Sequence, residues 1–341
     1  MEIKKLSLAL QGGGAHGAFT WGVLDRLLQE PTLEIEAVVG TSAGAMNAAV
    51  MTYGIMVGGK EGARKKLDEF WKAISEAAKL SILQPNELDK LLHPGDIDYN
   101  PGFWMFEWIT ENFAPHQFNP MKINPLQNIL ESVIDFQRLR TCSSPSLFVC
   151  ATNVYKCQAK VFHTQEMIVE MLLASACLPY LFEAVEINGE AYWDGGFMGN
   201  PPLFPLLKET KTNDILIVQI NPIKIHSLPT KQKEIRDRIN EISFNCALIM
   251  EMQILDFKNK LVEKGIDLDG ELRKVNVHNI SADQALANLG FSSKLNSSWD
   301  FLVHLKEIGR RYASEWLEFK YPVVGQSSSC SVLQNFRHVQ P

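Results

Sequence analysis

The chain of 341 residues has no CxxC pair and no HExxH, and its potential metal ligands form no cluster, so no metal is expected. Its six cysteines, at 142, 150, 157, 177, 246 and 330, are scattered. Several sit in apolar runs and read as reduced, packed thiols, which suits a cytosolic or other reducing compartment. A basic excess is also missing. Lys and Arg number 33 against 39 Asp and Glu, a net charge of −6, which argues against general nucleic-acid binding. No internal repeat occurs, and the one low-complexity tract, Gly325 to Ser329, reads as a loose tail. A secretory leader is not evident. Lys4-Lys5 is basic, but Leu6 to Leu10 is too short for an apolar core segment, and Gln11 and glycines follow. Residues 37–59 carry no charge and could by length cross a bilayer, which takes about 20 apolar residues. Thr41, Ser42, Asn47, Thr52 and five glycines interrupt them, so a strand, a turn and a buried helix account for them better. The expectation is a soluble, cytoplasmic protein without a transmembrane helix.

What is present is concentrated in three short segments. Ile35 to Val39 is β-branched enough for a buried strand, and Ala43 to Met51 is rich in helix formers. Between them Gly40 and Gly44 bracket Ser42 as G-x-S-x-G, a nucleophile elbow that lifts a serine oxygen clear of the chain. Upstream, the strand-like Leu6 to Leu10 leads into Gln11-Gly12-Gly13-Gly14-Ala15-His16-Gly17. Phe19, Val23, Leu24, Leu27 and Leu28 then recur at helical spacing. Such a glycine run exposes backbone N–H groups to an anion, and beside a nucleophilic serine that anion is the oxyanion of acyl transfer. The same letters fit Gly12-x-Gly14-x-x-Gly17, a dinucleotide fingerprint, which would make the chain a nucleotide-binding oxidoreductase. That reading wants an acidic residue at the end of the second strand, whereas Glu34 and Glu36 stand at its beginning. The third segment, Ala191-Tyr192-Trp193-Asp194-Gly195-Gly196, delivers Asp194 at a strand end, where alone it would be read as a turn residue. Asn200-Pro201 after it reads as an N-cap and first helical position.

Taken in this order, the three motifs resemble the patatin-like phospholipases. The likeness extends through Asn119-Pro120 with Pro125-Leu126, Leu147 to Asn153, and Ala174-Ser175 through Pro179 to Phe182, covering residues 5–225. One departure is His16, where that family usually carries arginine or another basic residue. The resemblance implies an α/β fold of three layers, with a central sheet flanked by helices. It implies hydrolysis of fatty-acyl esters of lipids, phospholipids foremost, approached peripherally at a membrane surface and without a cofactor. It also implies a catalytic dyad, with Ser42 as nucleophile and Asp194 as its base, and an oxyanion loop of Gly12, Gly13 and Gly14. An ordinary aspartate, with a pKa of about 3.9, is a weak base toward a hydroxyl, and burial would correct this. A Ser-His-Asp triad is the alternative. His16 is nearest in sequence; His163 reads as a strand or turn residue, and His93, His116, His226, His278, His304 and His338 as lid, loop or surface residues. A catalytically silent lipid-binding protein also remains open. No protein partner is indicated.

Organisation follows from the spacing of these segments. Residues 1–230 read as the catalytic domain, with a helical, aromatic-rich insertion at about 60–135 that holds Tyr99, Phe103, Trp104, Phe106, Trp108, Phe113 and Phe118. Singly, Trp104 and Trp108 read as a packed helix face; the segment as a whole reads as a lipid-facing wall. Ile215 to Ile220 reads as a further buried strand before Asn221-Pro222. Residues 231–341 read as a helical region packed on the catalytic domain. In it Ile235, Ile239, Ile242, Leu248, Met252 and Leu255 mark an amphipathic helix whose start is mixed in charge, with Lys231, Lys233, Arg236 and Arg238 beside Glu234 and Asp237. Its apolar stripe is expected to pack on the catalytic domain, with a membrane-surface role as the alternative. Ser297 with Asp300 reads as a capping pair for a second helix.

Overall fold

The computed structural model describes residues 2–79, 81–225, 228–230, 232–266 and 273–330. His226, Lys231 and His338 lie outside these residues, as does the side chain of Lys233. The described strands are β1 (Lys4–Leu10), β2 (Leu33–Thr41), β3 (Ser146–Asn153), β4 (Gln158–His163), β5 (Val185–Ile187), β6 (Glu190–Asp194), β7 (Asp214–Gln219) and β8 (Asn276–Ser281). They form one sheet in the order β5-β6-β3-β2-β1-β7-β8, with β4 paired to β3 off this path. From β3 to β8 the neighbours along this path run parallel, while β4 and β6 join β3 antiparallel. The longer helices are α1 (Gly17–Leu27), α2 (Ala43–Ala78), α3 (Pro101–Asn112), α4 (Pro125–Val133), α5 (Val169–Ser175), α6 (Gln232–Glu263) and α7 (Trp299–Phe319).

Alternation along the strands feeds two cores. Leu6, Leu8 and Leu10 of β1 and Leu216 and Val218 of β7 enter one core with α1, α2, α4 and α7. Ala9, Ile215 and Ile217 enter the other with Leu206 and, from α6, Leu248, Met252 and Leu255. This is the three-layer α/β arrangement. Two glycines let α1 and α7 touch backbone to backbone: a Cβ on Gly22 would run into the Lys306 carbonyl, and one on Gly309 into that of Phe19. Asp25 on α1 then pairs with Arg64 of α2 at 2.9 Å and with Arg310 of α7, tying the three helices together.

The uncharged stretch 37–59 is buried as far as Gly54, apart from half-buried Ser42, because that part is the interior of the fold; Val57 to Gly59 reach the surface. The stretch comprises the end of β2, the turn at Ser42 and the first part of α2, which is buried from Ala43 to Gly54. Non-helical geometry at Gly58 and Gly59 then breaks α2. Among the described residues, no helix is long and apolar enough to cross a membrane.

Several local expectations fail for physical reasons. Asn200-Pro201 does not start a helix; the next one begins at Phe204, and the Asn200 side chain is used elsewhere. The helix carrying Trp299 is capped at Ser298, without a side-chain hydrogen bond, rather than by Ser297. The tract Gly325 to Ser329 is not loose. The Gly325 amide donates to Asp214 (2.9 Å), the Val277 amide to the Ser328 hydroxyl (3.0 Å), and the Ser329 amide to the Val277 carbonyl (3.1 Å). The tract thereby covers part of the edge strand β8. That strand lies in a region read from sequence as helical only.

The largest departure concerns α6. Leu248, Met252 and Leu255 face the core as expected, but Ile235, Ile239 and Ile242 face solvent with Met250, Ile254 and Phe257. In the first half of the helix the side turned toward the protein is polar. Asn245 is buried, and Arg238 donates to the Pro222 and Ile223 carbonyls at 3.2 and 2.7 Å. A helix bordering a polar site turns its polar side inward and leaves its apolar side outside.

Candidate active site

The site lies at the carboxyl ends of β1, β2 and β6, which is where open α/β sheets place their ligands. Ser42 occupies the single residue between β2 and α2, at φ 53° and ψ −125°. A non-glycine residue in the positive-φ region is strained and needs surrounding structure to hold it. That structure is close backbone packing. A Cβ on Gly40 would meet the Gly44 carbonyl, and one on Gly44 would meet the Leu10 carbonyl. The Ser42 amide donates to the Ser175 hydroxyl at 2.9 Å, and that hydroxyl donates to the Cys150 carbonyl of β3 at 2.6 Å. Ser175 therefore bolts the elbow to the sheet. Its place in the Ala174-Ser175 stretch was visible in the sequence, but its role was not.

The glycine loop lies directly against this elbow. A Cβ on Gly12 would fall on the Cβ of Ser42, so nothing larger fits. The Gly12 amide is already engaged: it donates to the Asn200 side-chain oxygen at 2.7 Å. In this structure the Gly12 amide is thus paired with Asn200, whereas Gly13 and Gly14 follow it in the loop. The Gly12 carbonyl accepts from the Asn221 side chain at 2.6 Å. Gln11 locks the loop from behind. Its Oε1 accepts from the Ile220 and Asn221 amides at 2.9 Å, and its Nε2 donates to the Asn200 carbonyl and to Asn245 of α6 at 3.1 Å. Among the described residues, the Gly13 and Gly14 amides find no acceptor. The acidic residues weighed for a ribose are at the far end of the sheet. Glu36 accepts from the Lys211 and Thr212 amides, and Glu34 pairs with Lys5.

Asp194 ends β6 and is buried. Its Oδ1 accepts from the Gly196 amide at 2.7 Å, its own amide donates to the Cys177 carbonyl at 2.7 Å, and its carbonyl accepts from Thr152 Oγ1 at 2.8 Å. Gly195 is required by close approach, since a Cβ there would strike the Cys150 carbonyl. Burial pushes the Asp194 carboxyl up to about 7, against hydrogen bonds from the Gly196 amide and the Ser42 side chain that pull it down. Ser42 and Asp194 are thus brought together, and the carboxyl is poised near neutral pH.

The histidines stand apart from this pair. Buried His16 is pushed down to about 3, by burial first and then by the neighbouring Lys294, so its ring is neutral; its Nε2 is 2.7 Å from the Ser293 hydroxyl. His163 is half-buried beside Glu209 and Glu166, His278 is buried between Asp214 and Ser329, His93 stacks on Tyr99, and His116 and His304 are exposed. None of these described histidines hydrogen-bonds Ser42 or Asp194.

Around the site, Phe244 of α6 packs on Gly196 and edge-on against Phe197. Arg236 ties α6 to α3 through Glu107 (3.5 Å) and Glu111. On α3, Phe103 is fully buried while Trp104 and Trp108 are 56% and 58% exposed, so the tryptophans are not the packed face expected of them singly. Cys142, Cys150 and Cys177 are buried free thiols, whereas Cys157 and Cys246 are exposed. Among the described residues, no cluster of three or more His, Cys, Asp or Glu is placed to hold a metal. A cleft lined by Lys5, Glu36, Ser143 and Lys211 opens at the opposite end of the strands, away from Ser42.

A family model described as patatin-like phospholipase matches residues 8–207. The chain is similar to a curated relative, the probable lipid hydrolase 463L of Invertebrate iridescent virus 6, at 24% identity over 201 residues. That match covers 58% of this chain and 61% of the relative, so the chain spans less than two thirds of that protein's length. Among solved structures, VipD from Legionella pneumophila aligns over 93% of this chain and 67% of its own, at 15% identity and a TM-score of 0.44. ExoU, in its heterodimeric complex with SpcU from the type III secretion system of Pseudomonas aeruginosa, aligns over 98% of this chain and 58% of that chain, at 16% identity and a TM-score of 0.41. With a family model covering more than half its length, and the glycine loop, elbow and Asp-Gly-Gly segment assembled at one end of the sheet, the chain belongs to the patatin-like phospholipase family.

Proposed function

We propose that this protein hydrolyses fatty-acyl esters of lipids, phospholipids foremost, through a Ser42–Asp194 dyad. The observation that carries the reading is that the Ser42 elbow at the end of β2 and the buried carboxyl of Asp194 at the end of β6 meet at one end of the sheet, where burial raises that carboxyl to about 7 against the Gly196 amide and the Ser42 side chain. A base is most effective when its pKa lies near the working pH. In the first step Ser42 Oγ attacks the ester carbonyl carbon, its proton passes to Asp194, and the carbonyl oxygen becomes an oxyanion beside the Gly13 and Gly14 amides. Collapse expels the alcohol, which takes the proton from Asp194, and leaves an acyl-Ser42 ester. Water then attacks that ester, gives its proton to Asp194, and releases the fatty acid as Ser42 regains its proton. The strained backbone at Ser42 keeps its hydroxyl fixed for both steps.

Access is proposed to be from a lipid surface. Trp104, Met105 and Trp108 on α3 and Ile235, Ile239 and Ile242 on α6 are exposed, Arg236 joins the two helices, and Phe244 of α6 packs on Gly196. The catalytic unit is proposed to reach past residue 230, because β8 completes the sheet and Asn245 supports the glycine loop. The test is labelling with a fluorophosphonate bearing a long alkyl chain, followed by mapping of the modified peptide. Modification at Ser42, with loss of phospholipid hydrolysis in proportion, supports the reading. An unlabelled protein that still binds phospholipid vesicles would support a catalytically silent lipid binder instead.

A further inference from the structure

The glycine loop carries no cation of its own. His16, the titratable residue within it, is neutral and held by Ser293. The next residue after Ser293 brings a cation from outside the 8–207 segment. The Lys294 carbonyl lies against Gly14 so closely that a Cβ there would overlap it. Its Nζ donates to Asn221 Oδ1 at 3.1 Å, and Asn221 Nδ2 donates to the Gly12 carbonyl at 2.6 Å. A lysine ammonium has donors only, so it dictates which way the Asn221 amide points. Burial pushes the Lys294 ammonium below the usual lysine range, and Glu241 and Asp237 of α6 oppose that shift.

We propose that Lys294 and Asn221 form a positioning pair that clamps and polarises the Gly12–Gly13 peptide, so that the Gly13 N–H becomes a stronger, fixed oxyanion donor. The inference rests on the Ser42 reading above. The peptide's carbonyl accepts from Asn221 while its N–H, on Gly13, points away from that bond. Charge drawn from the carbonyl end strengthens the donor end, and linked hydrogen bonds reinforce one another by about 10–30% per bond. The clamp also resists rotation of the peptide, which would turn a carbonyl toward the oxyanion. Lys294 thereby braces, from outside residues 8–207, a loop whose own His16 is engaged with Ser293.

The experiment compares wild type with Lys294→Met, Lys294→Arg and Asn221→Asp, using a short-chain ester, a fluorophosphonate and a long-chain trifluoromethyl ketone, whose adduct with serine carries an oxyanion. Lys294→Met is expected to lower kcat about ten- to a hundredfold, below the 10²–10³ that loss of a whole donor costs, with KM within twofold. Trifluoromethyl ketone affinity and the labelling rate of Ser42 should fall by a similar factor, and Lys294→Arg should recover part of the loss. Asn221→Asp keeps the lysine contact but removes the donor to Gly12, so it should be at least as impaired, and it carries the test if Lys294→Met does not fold. Wild-type kcat in both Lys294→Met and Asn221→Asp, or a raised KM with unchanged kcat in Lys294→Met, overturns the pair. A wild-type protein that is not labelled at Ser42 overturns the dyad reading itself, and the pair with it.

Discussion

Two regions meet at this site and contribute in different ways. The segments at Gly12–Gly14, Gly40–Gly44 and Asp194–Gly196 hold the groups proposed to react, and they are built from backbone: small residues, a strained serine and strand ends pressed together. The C-terminal segments, α6 and the stretch before α7, supply side chains that brace the first set from outside. Asn245 holds Gln11, Phe244 covers Gly196, Ser293 holds His16 and Lys294 holds Asn221. The lesson is that geometry demanding close backbone approach fixes residue identity locally. Bracing can be supplied by any residue the fold brings near.

The contrast can be broken most sharply at Ser42. Ser42→Ala should reduce ester hydrolysis to background while the thermal midpoint stays near that of wild type, because one hydroxyl is lost from a turn whose geometry is set by its glycines. Turnover retained above background would move the nucleophile elsewhere and dissolve the division between the two regions.

Asp194→Asn comes next and acts in two directions. Activity should drop by orders of magnitude, since the amide cannot accept the serine proton. Wild-type kcat should rise with pH through about 7 as Asp194 ionises. Stability runs oppositely. The folded pKa is raised above its usual value near 3.8, so the folded state favours the neutral acid, and stability declines as pH rises from about 4 through 7. Removing the charge should therefore raise the melting temperature at pH 8, and the gain should shrink by pH 5. Equal gains at both values would mean that the carboxyl is not held near neutrality.

In the second region, Asn245→Ala should be milder. It leaves Gln11 Nε2 with the Asn200 carbonyl but strips its partner on α6, so a cost of about 1–3 kcal/mol and a partial loss of kcat are expected. Chemical denaturation beside steady-state kinetics measures both. A loss as deep as that of Asp194→Asn would place Asn245 with the reactive groups rather than with the braces.

What the sequence discloses follows the same division. Leu6 to Leu10, Ile35 to Val39 and Ile215 to Ile220 alternate or run apolar as strands must, and they are β1, β2 and β7. Ser42 and Asp194 could be singled out because Gly40 and Gly44 bracket the one, and Gly195 and Gly196 follow the other, at turns where larger side chains would meet backbone. Asn200, Asn221, Ser175 and Lys294 were not, because each acts on a partner remote in sequence, and nothing near it records the encounter. Asn221 carried a faint signal, as a polar residue closing a buried strand. The exposed half of α6 was misread because three-to-four spacing reveals that a helix has an apolar side but not where that side points. Only the polar site opposite decides it.

The smallest expected effect tests whether the exposed tryptophans of α3, which Arg236 ties to α6, have a use. Trp104 and Trp108 are more than half exposed, so replacing both with Ala should change stability little, as substitutions at surface positions usually stay within about 0.5 kcal/mol. If they face lipid, activity on long-chain phospholipid vesicles should fall several-fold while short, soluble esters are cleaved as before. Each methylene buried against an apolar wall contributes about 0.8 kcal/mol, so the loss belongs in chain-length preference and vesicle binding rather than in the chemical step. The ratio of long-chain to short-chain turnover, read beside vesicle cosedimentation and the melting temperature, separates the outcomes. An unchanged ratio and unchanged cosedimentation would leave α3 a bystander, and the lipid-facing surface would then have to rest on Ile235, Ile239 and Ile242 of α6 alone.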